Sequence, residues 1–381
     1  MIETRPRAAR RAVLAIFFVD GAAVATWAAN VPLVKERFQL DTGVLGLTLF
    51  AIAVGSVIAL VLVGGVIVRV GSRVVTSATA LALCVTLSLL VLAPSFPALV
   101  AALFLFGVSQ SALDVAMNSQ AVAVEANYRR PIMSSFHALF SLGGLAGAGA
   151  ASFFLTRGVP GEAEVLGAAL VLGAVGAISL GALLPAAKAA GSGGPSLALP
   201  TGFLLALGVI AFLSLLSEGA MADWSAVYLR TDFGSSAGFA ATGYAAFSLA
   251  MAAGRFIGDP LRERLDAVPL LRLSGGVSAL GLALGLIVGQ PLAAVAGFAC
   301  VGFGLANVVP VLFSAAGRAR NVPTGTAIAG VATVGYLGFL AGPPIIGLLA
   351  QATTLAVGLG LVVICTALIA LLAGNAENDN L

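Results

Sequence analysis

Apolar stretches close to the length of a bilayer crossing recur along the whole chain, parted by short polar breaks. They fall at 12–31, 45–68, 74–93, 99–122, 132–155 and 165–184, then at 203–229, 240–257, 268–288, 292–313, 327–349 and 354–373. A membrane-crossing helix needs about 20 apolar residues. In hydrocarbon every backbone polar group must be satisfied within its own segment, so all twelve are expected to be helices. The pattern predicts an all-α membrane protein of two six-helix bundles, related by a pseudo-twofold axis. The expected division is 1–185 and 202–381, with 186–201 (AAKAAGSGGPSLALPT) as a flexible Gly/Ser/Pro connector.

The polar interruptions of this pattern carry the information. Two spans, about two hundred residues apart, contain nearly the same phrase: Asp20-Gly21-Ala22 followed by Thr26-Trp27-Ala28, and Glu218-Gly219-Ala220 followed by Asp223-Trp224-Ser225. Trp27 and Trp224 are the two tryptophans of the chain. A carboxylate near the centre of an apolar span costs about 2.5–3.5 kcal/mol on insertion scales, so its recurrence in register marks a duplication with a polar site built from both halves. Within spans, acids sit on helices one, four and seven (Asp20, Asp114, Glu218, Asp223), and helix ten has Asn307. Helices three, six and twelve read as free of charge, and helix nine has only Arg272 near its end. Helices one, four, seven and ten are therefore expected to line an interior, and three, six, nine and twelve to face lipid. Nested three-helix units around a midplane site describe a transporter architecture.

Composition and charge agree with this reading. The chain is 60% hydrophobic and 9% charged, whereas a soluble domain is about 25% charged. With the N-terminus cytoplasmic, fifteen of the nineteen Lys and Arg lie on the inner side, and Lys35, Arg37, Arg157 and Arg230 on the outer. This positive-inside bias places both termini in the cytoplasm. The net charge of +3 thus reports topology and gives no reason to invoke nucleic acid. The first span is long, holds Asp20 and lacks a small-residue cleavage site, so it reads as a retained helix. Cys84, Cys300 and Cys365 lie far apart inside spans, so neither a disulfide framework nor a metal cluster is expected. No nucleophile elbow, paired-acid metal motif or cofactor signature is present, so neither an enzyme nor a bound cofactor is expected.

The loop after helix two and the two-by-six organisation resemble the major facilitator superfamily. Its Gly-x-x-x-Asp-Arg-x-Gly-x-Arg loop signature is matched by Gly64, Arg69, Gly71 and Arg73, with Val68 where the family has an acid. A looser counterpart follows helix eight, with Gly254-Arg255 and Asp259. The resemblance implies an inner gate formed around these residues, in which Asp259 stands alone. It extends to the YbjJ/MosC-like branch related to fucose permeases, on Trp27-Ala28 with Pro32, Asp114 with Asn118, Glu125, the run His137–Gly144, Glu218-Gly219 with Asp223-Trp224, Gly254-Arg255-Phe256, and Gly335-Tyr336-Leu337 with Gly342-Pro343-Pro344.

Residue by residue, Gln110, Asp114 and Asn118 are spaced i, i+4, i+8 and form one polar stripe on helix four. Asp20, Asp114 and Glu218 read as proton-coupling groups, since an acid at this depth must face a cavity or a partner. Asp223 is a fourth candidate that pairs equally well with Arg230. Glu125 lies four residues before Arg129, an ion-pair spacing, and reads with Arg255 as a gate or helix-end charge. His137, the lone histidine, reads as a packing residue that keeps a part in proton release open. Trp27, Asn30, Trp224, Tyr228, Tyr244, Asn307 and Tyr336 are cavity candidates, the tryptophans suited to stacking on a sugar face. Gly143, Gly144 and Gly147 on helix five, and Gly335, Gly338 and Gly342 on helix eleven, are placed for close helix approach.

No Lys or Arg falls mid-span, and a phosphate or carboxylate cargo would call for such a clamp. The residues therefore point to a monomeric secondary transporter of the inner membrane that moves a small neutral polyhydroxy solute with protons. Proton-driven efflux of amphipathic cations is the alternative. A non-transporting sensor on a carrier fold is a third reading.

Overall fold

The computed structural model describes residues 4–128, 132–185, 202–262, 264–319, 322 and 324–376. The connector at 186–201 and Arg129 lie outside the described residues, as does the Asp259 side chain. The described residues form helices α1 (Thr4–Arg37), α2 (Thr42–Val70), α3 (Ser72–Leu92), α4 (Phe96–Glu125), α5 (Met133–Thr156) and α6 (Gly161–Leu180). The second series is α7 (Gly202–Thr231), α8 (Ala237–Arg262), α9 (Ala267–Val288), α10 (Pro291–Leu305), α11 (Val308–Ala316), α12 (Thr324–Ala352) and α13 (Leu355–Leu372). Twelve spans result, because α10 and α11 are the two parts of one crossing, Pro291–Ala316.

That interruption departs from the continuous tenth helix read from the sequence, and its cause is local. Pro310 has no N–H to offer the carbonyl four residues back, that of Ala306. Asn307 leaves helical geometry at φ −111°, and its side-chain amide donates to the Gly254 carbonyl of α8 at 2.9 Å. Asn307 thereby serves as a joint between two helices rather than as an open cavity group.

Contacts divide the chain into two compact units, Met1–Gln39 with Ala51–Gly194, and Leu40–Phe50 with Pro195–Leu381. The first turns of α2 thus belong to the second unit. There Gly46 meets the Pro343 carbonyl and Gly347 of α12, and Gln351 Oε1 accepts from the Thr42 hydroxyl at 2.9 Å and from the Gly43 N–H at 3.3 Å.

Each unit repeats one set of pairings. In the first, α1 packs on α5 and α6, and α3 on α4 and α6. In the second, α7 packs on α12 and α13, while α9 packs on α10 and α13. Glycine makes the tightest crossings possible. A β-carbon on Gly21 would run into the Phe140 carbonyl, and one on Gly143 or Gly147 into the carbonyl of Phe18 or Ala22. The equivalent crossing of α7 with α12 relies on Gly338, which faces the Phe212 carbonyl, and on Gly219, which faces the Phe339 ring. Gly342 meets α7 only at ordinary contact distance, 3.6 Å.

Burial follows the expected lining order in part. The most buried windows are those of the first span (78%) and the seventh (61%, level with the eighth), and the sixth is low at 28%. The third, expected to face lipid, is as buried as the fourth, at 50%. The reason is that α3 is wedged against both α4 and α6, with Val75 joining a core of Ala59, Val63, Ile67, Ala112 and Ala116.

Candidate functional site

In the first unit Asp20 is wholly enclosed, at 0% exposure. Its neighbour Gly21 lets α5 close over α1, which draws the preceding side chain out of solvent. Gln110 and Asp114 of α4 are the polar groups that act on it, yet neither Asp20 oxygen has a well-formed hydrogen bond. Along α4 the i, i+4, i+8 stripe of Gln110, Asp114 and Asn118 is half-buried throughout. Asn118 Nδ2 donates to the Asp114 carbonyl at 2.8 Å and to Asp114 Oδ1 at 3.0 Å. An enclosed acid thus stands behind a second acid that an amide holds in place. His137 lies on α5 with its ring edge-on to Phe17 of α1 at 5.3 Å.

The second unit builds a different cluster from the matching phrase. Glu218 on α7 is half-buried, and the Arg255 guanidinium of α8 lies within its electrostatic reach. Both act on the Tyr244 hydroxyl, as does Asp223, and Tyr244 also hydrogen-bonds Ser248. The Tyr244 ring stacks on Phe247 at 5.6 Å. Arg255, expected at the gate, is therefore the charge that faces the Glu218 group. Arg230, offered as a partner for Asp223, gives Nη1 to the Ser235 carbonyl at 2.8 Å and so closes the end of α7.

Several expected cavity residues lie elsewhere. Trp224 is 0% exposed and Trp27 only 4%. Both are enclosed in their units, with the indole N–H unpartnered, and neither presents a ring face to solvent. Tyr228 belongs to an aromatic group with Phe233 and Phe298, and Tyr336 tilts against Phe339. Asn30 is buried at the junction of α1 and α6, where its Nδ2 donates to Glu164 Oε2 at 2.8 Å and to the Thr26 carbonyl at 2.9 Å. Glu164 corrects the expectation of an uncharged helix six. It stands just before the apolar run, and the first turn of α6 carries it inward to 5% exposure.

The loop-signature residues act mainly as helix-end fittings. Gly71 has φ 87°, a conformation that favours glycine, and turns the chain from α2 into α3. Arg73 donates to the Gly181 carbonyl at 3.3 Å, beyond the end of α6. Gly64 has open space where a β-carbon would stand, and Arg69 is exposed. Glu125 accepts the backbone N–H groups of Ile132 and Met133 at 2.7 and 2.8 Å, so it caps the start of α5. Gln120, unnoticed in the sequence, is fully buried. It donates to Ser72 Oγ and the Leu184 carbonyl and accepts from the Leu184 N–H. It stands two residues beyond Asn118, off the face of the 110/114/118 stripe, so helical spacing gave no signal for it. Among the described residues no group of three or more His, Cys, Asp or Glu could hold a metal, and Cys84, Cys300 and Cys365 are free thiols.

Twelve apolar helices in two repeats of six, with an enclosed acid on the first and a half-buried one on the fourth, define a polytopic membrane carrier. The chain belongs to the Major Facilitator Superfamily, whose profile matches residues 12–319. It is 39% identical over 355 residues to an uncharacterized MFS-type transporter of Yersinia pestis, covering 93% of this chain and 91% of that one. It is 34% identical over 348 residues to the membrane protein MosC of Rhizobium meliloti, covering 90% and 83%. Among solved structures it is similar to the E. coli fucose:proton symporter FucP, with TM-score 0.65, 13% identity and coverage of 97% and 98%. It is also similar to the nucleoside transporter NupG, with TM-score 0.70, 12% identity and coverage of 96% and 97%. At these identities the two structures attest the fold.

Proposed function

We propose that this protein is a proton-coupled symporter of a small neutral polyhydroxy solute, with Asp20 and Asp114 as its coupling groups. The observation that carries the reading is the state of Asp20: wholly enclosed, without a well-formed hydrogen bond, and faced by Asp114 and Gln110. A charged carboxylate is costly in such a place unless it is paired. Binding a proton removes the charge, and the loaded carrier then changes access without dragging an ion through hydrocarbon. Asp114, half-buried and steadied by Asn118, is the group through which that proton is exchanged. Gln110 and Asn118 supply donors and acceptors for hydroxyls. Glu218, Asp223 and Tyr244 offer a second set of acceptors, with Arg255 compensating the acids. Of the similar structures, one is a fucose:proton symporter and another a nucleoside transporter, and a hydroxyl-rich cargo is in keeping with both. The carrier works as a monomer in the inner membrane with both termini cytoplasmic, its partners being the solute, protons and lipid.

The test is a thermal-shift panel of sugars, cyclitols, nucleosides, lipophilic cations and organic anions on detergent-purified protein at two pH values. A ligand at a hundredfold its Kd adds about 2.7 kcal/mol of stability. Stabilisation by a neutral polyol, stronger at the lower pH, is expected. Stabilisation only by lipophilic cations, stronger at the higher pH, would replace symport by efflux.

A further inference from the structure

Where α8 ends and α9 begins, the second unit has a concavity that the transport site does not use. It measures about 220 Å³ and is lined by Arg262, Arg318 and Asp266 and by the apolar Leu265, Leu270 and Val311. Three elements converge on it: the last residue of α8, the first turn of α9 and the turn that follows α11. Arg262 is held there by one hydrogen bond, from Nη2 to Ser314 Oγ at 2.8 Å. A guanidinium has five N–H donors in a planar fork, so most of its donors remain for another acceptor. Arg318 is exposed beside it.

The start of α9 adds to this field. Asp266 occupies the capping position of that 22-residue helix, but its side chain makes no capping hydrogen bond. The N–H groups of Ala267 and Val268 are therefore not served by it, and the positive end of the helix adds to the guanidiniums. Against two arginines and a helix start, the described lining residues set a single carboxylate, that of Asp266. Arg264, also exposed, lies two residues before it.

We propose that this concavity binds a phosphate group, gripped by Arg262 and Arg318, with the apolar part of its carrier resting on Leu265, Leu270 and Val311. Planar guanidinium forks match phosphate oxygens in pairs. The positive-inside bias puts this end of the unit at the cytoplasmic headgroup level, where anionic lipid is plentiful. The same chemistry is offered by an anionic lipid headgroup and by free phosphate, and the apolar wall favours the lipid. Its lining includes none of the acids assigned to coupling, and the proposal stands whatever the solute is.

The test uses full-length, delipidated protein and follows the binding of phosphatidylglycerol by native mass spectrometry. Inorganic phosphate is titrated in parallel by thermal shift at constant ionic strength. Lipid binding to the wild type is expected to weaken by about tenfold or more in R262Q/R318Q, to persist in R262K/R318K, and to tighten in Asp266→Asn, where the opposing charge is gone. A tightening is something a merely structural role for these residues would not produce. Arginine-dependent stabilisation by inorganic phosphate, with no such dependence for the lipid, would assign the site to free phosphate. Binding of both probes that is indifferent to the arginines and to Asp266→Asn overturns the proposal. If the double glutamine variant does not fold, Asp266→Asn decides alone: tighter binding of either probe upholds the site, and unchanged binding of both removes it.

Discussion

Asp20 and Glu218 begin the same phrase in the two repeats, yet their surroundings have parted. Asp20 faces another acid and an amide, whereas Glu218 faces Arg255. If coupling resides in the uncompensated pair, Asp114→Asn and Asp20→Asn should abolish concentrative uptake into proteoliposomes while solute exchange persists. Unchanged accumulation in either variant would remove that residue from the coupling role. The tryptophans carry a second prediction. Both are enclosed, so acrylamide should quench their fluorescence far less than that of free tryptophan, and strong quenching would contradict the packing described. Glu125 carries a third. Glu125→Ala removes the acceptor for two N–H groups at the start of α5, and loss of such a cap costs about 1 kcal/mol. A thermal-unfolding shift should report it, and Glu125→Gln, which keeps a carbonyl acceptor, should recover part. The stripe on α4 was legible because helical spacing alone puts Gln110, Asp114 and Asn118 on one face. The capping role of Glu125 was not legible, because a neighbour four residues away is visible in the sequence and a backbone N–H across a loop is not.

At the scale of the element, length and apolarity were enough to place all twelve crossings, and the helices then run beyond the apolar windows. The helix α1 has 34 residues, about 51 Å at 1.5 Å per residue, against a hydrocarbon core of about 30 Å. Its extra turns carry the polar ends into the headgroup layers. What the windows missed lay at their margins or inside one run: Glu164 one residue before the sixth, and the break at Asn307 within the tenth. Glycine controls how the elements meet. Replacing Gly143 by Leu should part α1 from α5, since even a β-carbon would meet the Phe18 carbonyl. Overpacking of this kind costs about 1–3 kcal/mol. Gly149→Leu, on the same helix with open space around it, is the control. Equal thermal stability of the two variants would refute the crossing.

For the whole molecule, repetition is the organising fact. Each unit uses the same helix pairings in the same order, so a sequence duplication has become a structural one. A carrier with this arrangement and a proton-accepting acid should concentrate its solute only while a proton gradient stands. One proton moving down 100 mV releases about 2.3 kcal/mol, enough for about fiftyfold accumulation. A protonophore is expected to collapse uptake to equilibration, and persistence of the gradient in its presence would point to another coupling ion.

The amino-acid sequence determined the membrane class, the number of crossings, the duplication and which helices carry the acids. These follow from hydropathy, helical period and the cost of charge in hydrocarbon, all of which act locally along the chain. The tertiary structure decided which polar groups are partners. It joined Asn30 to Glu164, Asn307 to the Gly254 carbonyl and Glu125 to the start of α5, it set Arg255 within electrostatic reach of Glu218, and it enclosed both tryptophans. Such pairings depend on which helix faces are brought together, and in an apolar chain that is settled by glycine-sized gaps and backbone carbonyls on distant helices rather than by neighbours in sequence.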